Sequence, residues 1–162
     1  MSIQHVDNGR IYLSVQGISP SRRFLGALQK TFADRGFVIA SKPSAANLIM
    51  QISICHAGAM NRSDAKRALE SGYDSKVGIT GDEVAGLVVD TLLVTREVPQ
   101  ARSDEQRKLK TISQRRASGS STLRLVFLSK KGISMRPVPL SFAHHLGETL
   151  CGYLDQEIDN KR

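Results

Sequence analysis

The sequence predicts an α/β (α+β) fold: one small mixed sheet of about five strands packed by helices, in the order β-α-β-β-α-α-β-β-α. Three observations predict it. Short runs alternate apolar and polar residues, which marks strands with one buried face. Between them, apolar residues recur every third or fourth position behind capping residues, which marks amphipathic helices. The 162 residues suit one domain, and 40% hydrophobic with 23% charged residues is an ordinary globular balance.

The elements follow in order. Ile11, Leu13 and Val15 alternate with Tyr12 and Ser14 as a first strand. Ser19 caps and Pro20 opens a helix with Leu25, Leu28 and Phe32 on one face, and Gly36 suits the left-handed residue that ends it. Phe37 to Ala40 is a second strand, and Lys42-Pro43-Ser44 a turn. Leu48 to Cys55 is the strongest strand signal. Leu48, Met50, Ile52 and Ile54 line one face, while Ile49 and Cys55 make the other partly apolar, so the strand is expected to be central. Asn61 caps a short helix through Ala65, Ala68 and Leu69 that stops at Gly72.

Lys76 to Gly81 reads as loop. Thr80-Gly81-Asp82-Glu83 then has capping-box spacing and predicts another helix, with Val84, Leu87, Val88 and Thr91 on one face. Leu92 to Val98 returns to strand character, and Pro99 to Ser118 is a polar break. Thr122 to Ser129 is a strand with Leu123, Leu125 and Phe127 inward, and Lys130-Lys131-Gly132 turns the chain. A last helix from about Ser141 carries Phe142, Leu146, Leu150 and Leu154 at every fourth position. Residues 1–9 and 155–162 read as polar termini of a single domain spanning 1–162.

The net charge of +8 permits contact with nucleic acid or anionic lipid but says little about fold. Arg102, Arg107, Lys108, Lys110, Arg115 and Arg116 are the candidate polyanion contacts; no aromatic residues are interleaved to stack on bases, so a solvated loop is the plainer reading. Cys55 and Cys151 are too few and too far apart for a zinc site or a disulfide scaffold, though one disulfide between them is open. His144 and His145, adjacent on a helix, point about 100° apart and do not converge on one metal. Cys55 and His56 alternate across a strand and are expected on opposite sides. His144 and Cys151 share a helix face but lie roughly 10 Å apart by helical rise, too far for proton transfer. No catalytic residue, metal site or cofactor is expected. Met1 to Arg10 does not read as a signal peptide, and no long uncharged apolar run suggests a membrane span.

From Ile11 to Leu154 the chain resembles the TraT family of conjugative plasmids, outer-membrane lipoproteins of surface exclusion and complement resistance. Five pieces carry the resemblance, in the family's order. The strand Ile11-Tyr12-Leu13-Ser14-Val15 opens it. Arg35-Gly36-Phe37-Val38-Ile39 is similar to the family's Lys-Gly-Tyr and paired valines. Pro43-Ser44-Ala45-Ala46, then Ile49-Met50-Gln51, is similar to its Pro-x-x-Ala-x-x-Leu-Leu-Gln. Ala68-Leu69-Glu70-Ser71-Gly72-Tyr73 is similar to its Ala-Leu-x-x-Gly-Tyr. The strand Leu123 to Ser129 and a helix closing near Leu154 complete it.

The resemblance implies a non-enzymatic protein of the cell envelope, at the outer membrane or in the periplasm. It would form a ring-like homo-oligomer and contact envelope or conjugation-machinery proteins. Val84, Leu87, Val88 and Thr91 are the candidate oligomer contacts. The family's lipidated cysteine is not matched here. Where the family carries a Gly/Ala-rich membrane segment, Val77 to Val94 is interrupted by Asp82, Glu83 and Asp90 and is expected to be an amphipathic helix outside the bilayer. Two further readings stand beside this one: a structural subunit of a type IV secretion or conjugation apparatus, and a basic cytosolic domain that binds nucleic acid.

Overall fold

The computed structural model describes residues 9–17, 22–95 and 119–160. Strand β1 (Arg10–Gly17) leads to helix α1 (Arg22–Asp34) and the two-residue strand β2 (Val38–Ile39). A 3-10 turn at Pro43–Ala45 precedes β3 (Leu48–Met60) and helix α2 (Arg62–Ser71). Strands β4 (Val84–Thr95) and β5 (Gly119–Ser129) and helix α3 (Leu140–Asn160) complete the chain. The strands form one mixed sheet in the order β2-β1-β3-β4-β5. β1 is parallel to β2 and β3, and the β3-β4-β5 side is antiparallel. The expected α+β class, with about five strands and packing helices, is what the chain adopts.

One predicted helix is a strand. Residues 84–91, expected as the second of two consecutive helices, are the first part of β4, so the order is β-α-β-β-α-β-β-α. β4 lies between β3 and β5 and is covered on both faces, so Ala85 to Thr91 are all buried. A strand buried on both faces reads as a continuous apolar run, and such a run fits helical spacing as well as strand spacing. The β-branched Val84, Val88, Val89 and Thr91 and the interior Gly86 tip the local preference toward extended backbone. Thr80 does not cap a helix at residue 81; its amide and hydroxyl are given to Asp64.

Two other elements run longer than their patterns suggest. β3 continues past Cys55 to Met60, through the small residues Ala57-Gly58-Ala59, which lie opposite Leu87, Gly86 and Ala85. There Met60 lies over Gly86: a Cβ on Gly86 would sit 2.0 Å from the Met60 Sδ. Helix α3 extends through Asn160, into the stretch expected to be a polar tail.

Helices α1 and α3 cover one face of the sheet. Phe24, Leu28 and Phe32 of α1 and Phe142, Leu146, Leu150 and Leu154 of α3 meet Ile11, Leu13, Met50, Ile52, Leu87 and Val89 from the strands. The two helices approach closely at Gly147, where a Cβ would lie 2.8 Å from Thr31 Cγ2 and 2.9 Å from Thr31 Cβ. The Thr31 hydroxyl is held there by Ala27 O at 2.9 Å and lies 3.2 Å from His144 Nδ1. Gly147→Ala is therefore expected to cost about 1–3 kcal/mol through overpacking. Gly152→Ala, on the same helix with nothing within 4 Å, is expected to gain about 0.5–1 kcal/mol from helix propensity. Urea denaturation of the two variants measures both shifts.

The other face is only half covered. Helix α2 lies over β4 and β5, closing a small core of Met60, Ala65, Ala68 and Val88. Beyond α2, Tyr12, Ser14, Gln51 and Ser53 are half-buried, and the exposed Gln16 amide donates to Ser53 Oγ at 3.0 Å.

Candidate functional site

The most developed polar constellation lies beneath α2. Asp90 of β4 and Arg124 of β5 are direct cross-strand partners, and both are buried. Arg124 Nε donates to Asp90 Oδ1 at 2.6 Å and Nη2 to Oδ2 at 2.9 Å. Nη1 donates to Ser75 Oγ at 2.8 Å and to Ala68 O, in the last turn of α2, at 3.1 Å, while Nη2 also reaches Ser75 O at 2.7 Å. A guanidinium has five N–H donors, and these five bonds engage all of them. The Asp74 amide donates to Asp90 Oδ2 at 2.8 Å, with Asp74 in the left-handed region at φ 62°.

The electrostatics follow from this geometry. Burial opposes ionisation of Asp90, but the Arg124 and Asp74 bonds outweigh it and hold the carboxyl below its ordinary range. The hydrogen bond to Asp90 raises Arg124 further against burial. The half-buried Cys55 thiol is pushed up by burial and by the nearby Asp90 carboxylate.

A second carboxylate anchors the other end of the same connection. Asp64 is buried in the first turn of α2, where it forms a reciprocal capping box with Asn61 (Asp64 N to Asn61 Oδ1 2.7 Å, Asn61 N to Asp64 Oδ2 3.0 Å). It also accepts from Thr80 N at 3.1 Å, Thr80 Oγ1 at 2.8 Å and Gly81 N at 3.0 Å, and it pairs with Arg67. The link between α2 and β4 is thus pinned at 74–75 by the Asp90–Arg124 pair and at 80–81 by Asp64. These groups lock the structure; each polar atom faces a fixed partner.

Burial opposes ionisation of Asp64 as well, and the backbone and hydroxyl donors outweigh it, placing the carboxyl far below the usual range. A depressed folded-state pKa gives stability that is fully present above the unfolded value and lost as pH falls toward the folded one. The urea midpoint is expected to hold from about pH 7 to 5 and to fall below about pH 4. Asp64→Asn should flatten that fall; circular dichroism across the pH series checks it, and an unchanged slope would contradict the assignment.

The expected site residues lie elsewhere. Val84, Leu87, Val88 and Thr91 do not form one helix face. Leu87 and Thr91 point toward α1 and α3, Val84 and Val88 toward α2, and all but the half-buried Val84 are buried within the chain. Their apolar character is spent on the chain's own core, which corrects their assignment to an exposed helix. Asp82 and Glu83, expected in a helix's first turn, are exposed ahead of β4. Arg102, Arg107, Lys108, Lys110, Arg115 and Arg116 lie outside the described residues.

The cysteines are both free thiols: Cys55 packs against the α2 core and Cys151 belongs to the α1/α3 core, on opposite sides of the sheet. Burial pushes Cys151 up to about 12. The register steps by one between Ile54 and His56. That step puts His56 opposite Val88, on the same side as Cys55 rather than the opposite one. His144 and His145 are both exposed on α3. Among the described residues no group of three or more His, Cys, Asp or Glu gathers as a metal site, and no helix is long and apolar enough to cross a membrane.

The sequence pattern alone did not point to Arg124 or Asp64, and it undervalued Asp90. A signal was present for the pair. Arg124 is the one charge within Gly119–Ser129 and Asp90 the one charge within Val84–Thr95, so two lone opposite charges stand mid-way along two apolar strands. A lone charge in such a run demands a partner.

No family model matches the chain, and no curated protein matches it. Among solved structures it is similar to a DUF4136 family protein from Bacteroides thetaiotaomicron, with TM-score 0.42 and 12% identity over 92% of this chain and 90% of that one. It is also similar to a minor lipoprotein from Acinetobacter baumannii, with TM-score 0.40 and 7% identity over 93% and 95% of the two chains. A lipoprotein from Neisseria meningitidis is similar with TM-score 0.36 and 10% identity over 94% and 99%.

Proposed function

We propose that this chain is a TraT-like protein of the bacterial cell envelope that acts by protein–protein contact rather than by catalysis, limiting conjugative transfer into the cell that carries it. One observation carries the reading. The five segments that resemble the family fall in order along the fold, and three of them include its turning points. Arg35-Gly36 ends α1, with Gly36 at φ 96°. Pro43 to Ala46 forms the 3-10 turn and its cap before β3. Ala68 to Tyr73 ends α2, where Ala68 O accepts from Arg124 and from Gly72 N, and Gly72 takes φ 79°. Such positions are constrained by backbone conformation, so similar residues there point to a similar chain path.

The test is a mating assay. Recipient cells making this chain should accept a conjugative plasmid less often than isogenic cells without it, by an order of magnitude or more, and fractionation should find the chain with the envelope. Equal transfer frequencies would overturn the surface-exclusion role. Survival of the same cells in serum reads the complement arm separately.

A further inference from the structure

The sheet has two edges, and they are built differently. β2 at one edge is two residues long. β5 at the other is eleven residues long, and its pairing with β4 runs from Gly119 to Ser129 without a register shift. A long regular edge exposes a row of backbone donors and acceptors that invites another strand, and proteins usually blunt such edges with charge, proline or bulges. β5 has no proline and no bulge. Its one charge, Arg124, is turned inward and neutralised by Asp90. Its core-side residues Leu123, Leu125 and Phe127 are only half-buried, whereas Leu87 and Val89 beside them on β4 are fully covered. Leu128, on the opposite face, is 43% exposed.

We propose that the outer edge of β5, with which no strand among the described residues pairs, joins the same edge of a second copy, antiparallel and centred on Leu125, uniting two five-stranded sheets about a two-fold axis. Three features select this occupant and register. A two-fold axis perpendicular to the sheet keeps core-side residues opposite core-side residues only when one residue faces its own copy. Centring on Leu125 sets Leu123 against the partner's Phe127, a pair that closes the half-covered flank of the core, and on the other face sets Thr122 against the partner's Leu128, which covers the exposed leucine. Centring on Arg124 instead would place two guanidinium-bearing positions directly opposite each other. Charge then chooses the direction. Lys130 and Lys131 follow β5; a parallel pair would set them side by side. The antiparallel pair separates equivalent lysines by roughly ten positions, about 34 Å of strand, beyond the screening length of about 8 Å at physiological salt. The proposal is independent of the envelope reading, because it concerns the purified chain alone.

Light scattering on the purified full chain should show twice the chain mass of 17.7 kDa, dissociating on dilution. Thr122 and Leu128 are both exposed, so substitutions there should leave the monomer folded by circular dichroism. Thr122→Lys with Leu128→Lys sets like charges opposite each other at two symmetric places and should raise the dimer dissociation constant roughly tenfold or more. Thr122→Lys with Leu128→Glu sets opposite charges there and should restore or tighten the dimer. A strict monomer at millimolar concentration would overturn the proposal. So would a dimer that both variants leave unchanged, which would place its interface elsewhere.

Discussion

Replacing Arg124 by Met is expected to destabilise the chain by about 3–5 kcal/mol, because it strands the Asp90 carboxylate in a buried site. Asp90 is 4% exposed and Arg124 6%, so water cannot replace the lost partner cheaply. Arg124→Lys should recover only part of the loss. An ammonium keeps the charge but offers three donors where five acceptors wait, and it lacks the planar fork that meets both carboxylate oxygens. Removing both charges with Asp90→Leu and Arg124→Met should cost less than the two single changes added together, with a coupling of about 2–3 kcal/mol. The remaining deficit would come from Ser75 O and the Asp74 amide, which lose Arg124 and Asp90 respectively, and from Ala68 O, which keeps only Gly72 N. A double-mutant cycle in urea measures the coupling. Additive losses would show that the pair is not the lock described above.

Leu87→Asp is expected to abolish folding. Leu87 is fully buried at the centre of β4, opposite Ala57 on one side and Phe127 on the other, beneath α1 and α3. Leu87→Ala alone should cost about 2–5 kcal/mol through the lost contacts and the cavity. An aspartate adds the cost of burying a carboxyl with no donor nearby, which together rivals the roughly 5–15 kcal/mol by which a domain is stable. Circular dichroism and solubility decide the matter. A folded Leu87→Asp chain that had merely lost an oligomer would restore the surface-helix reading of residues 84–91.

These two sites mark where sequence pattern stops being sufficient. β1, β5 and α3 were legible because each buries one face, so the spacing of Ile11 and Leu13, of Leu123, Leu125 and Phe127, or of Phe142, Leu146 and Leu150 reports the element directly. β4 buries both faces, and its period is therefore hidden. The end of β3 was hidden for another reason. Ala57, Gly58 and Ala59 have weak strand preference, and their extended backbone is set by pairing with Leu87, Gly86 and Ala85 of β4. The polar lock was half legible. Asp90 and Arg124 are each a lone charge in an apolar strand, but their adjacency depends on which strands pair, and that is a long-range fact. Asp64 carries a local capping bond with Asn61, but its hold on Thr80 and Gly81 is not local.

The packing of α3 against α1 bears on how the chain is made. Phe24, Leu28 and Phe32 are covered by residues from Phe142 to Leu154, which are synthesised more than a hundred residues later. Until those residues leave the ribosome, a growing chain that has already formed α1 and the first strands has an uncovered apolar flank. The core therefore closes only after this long intervening stretch has been made, and until then the nascent chain is a natural client for a chaperone.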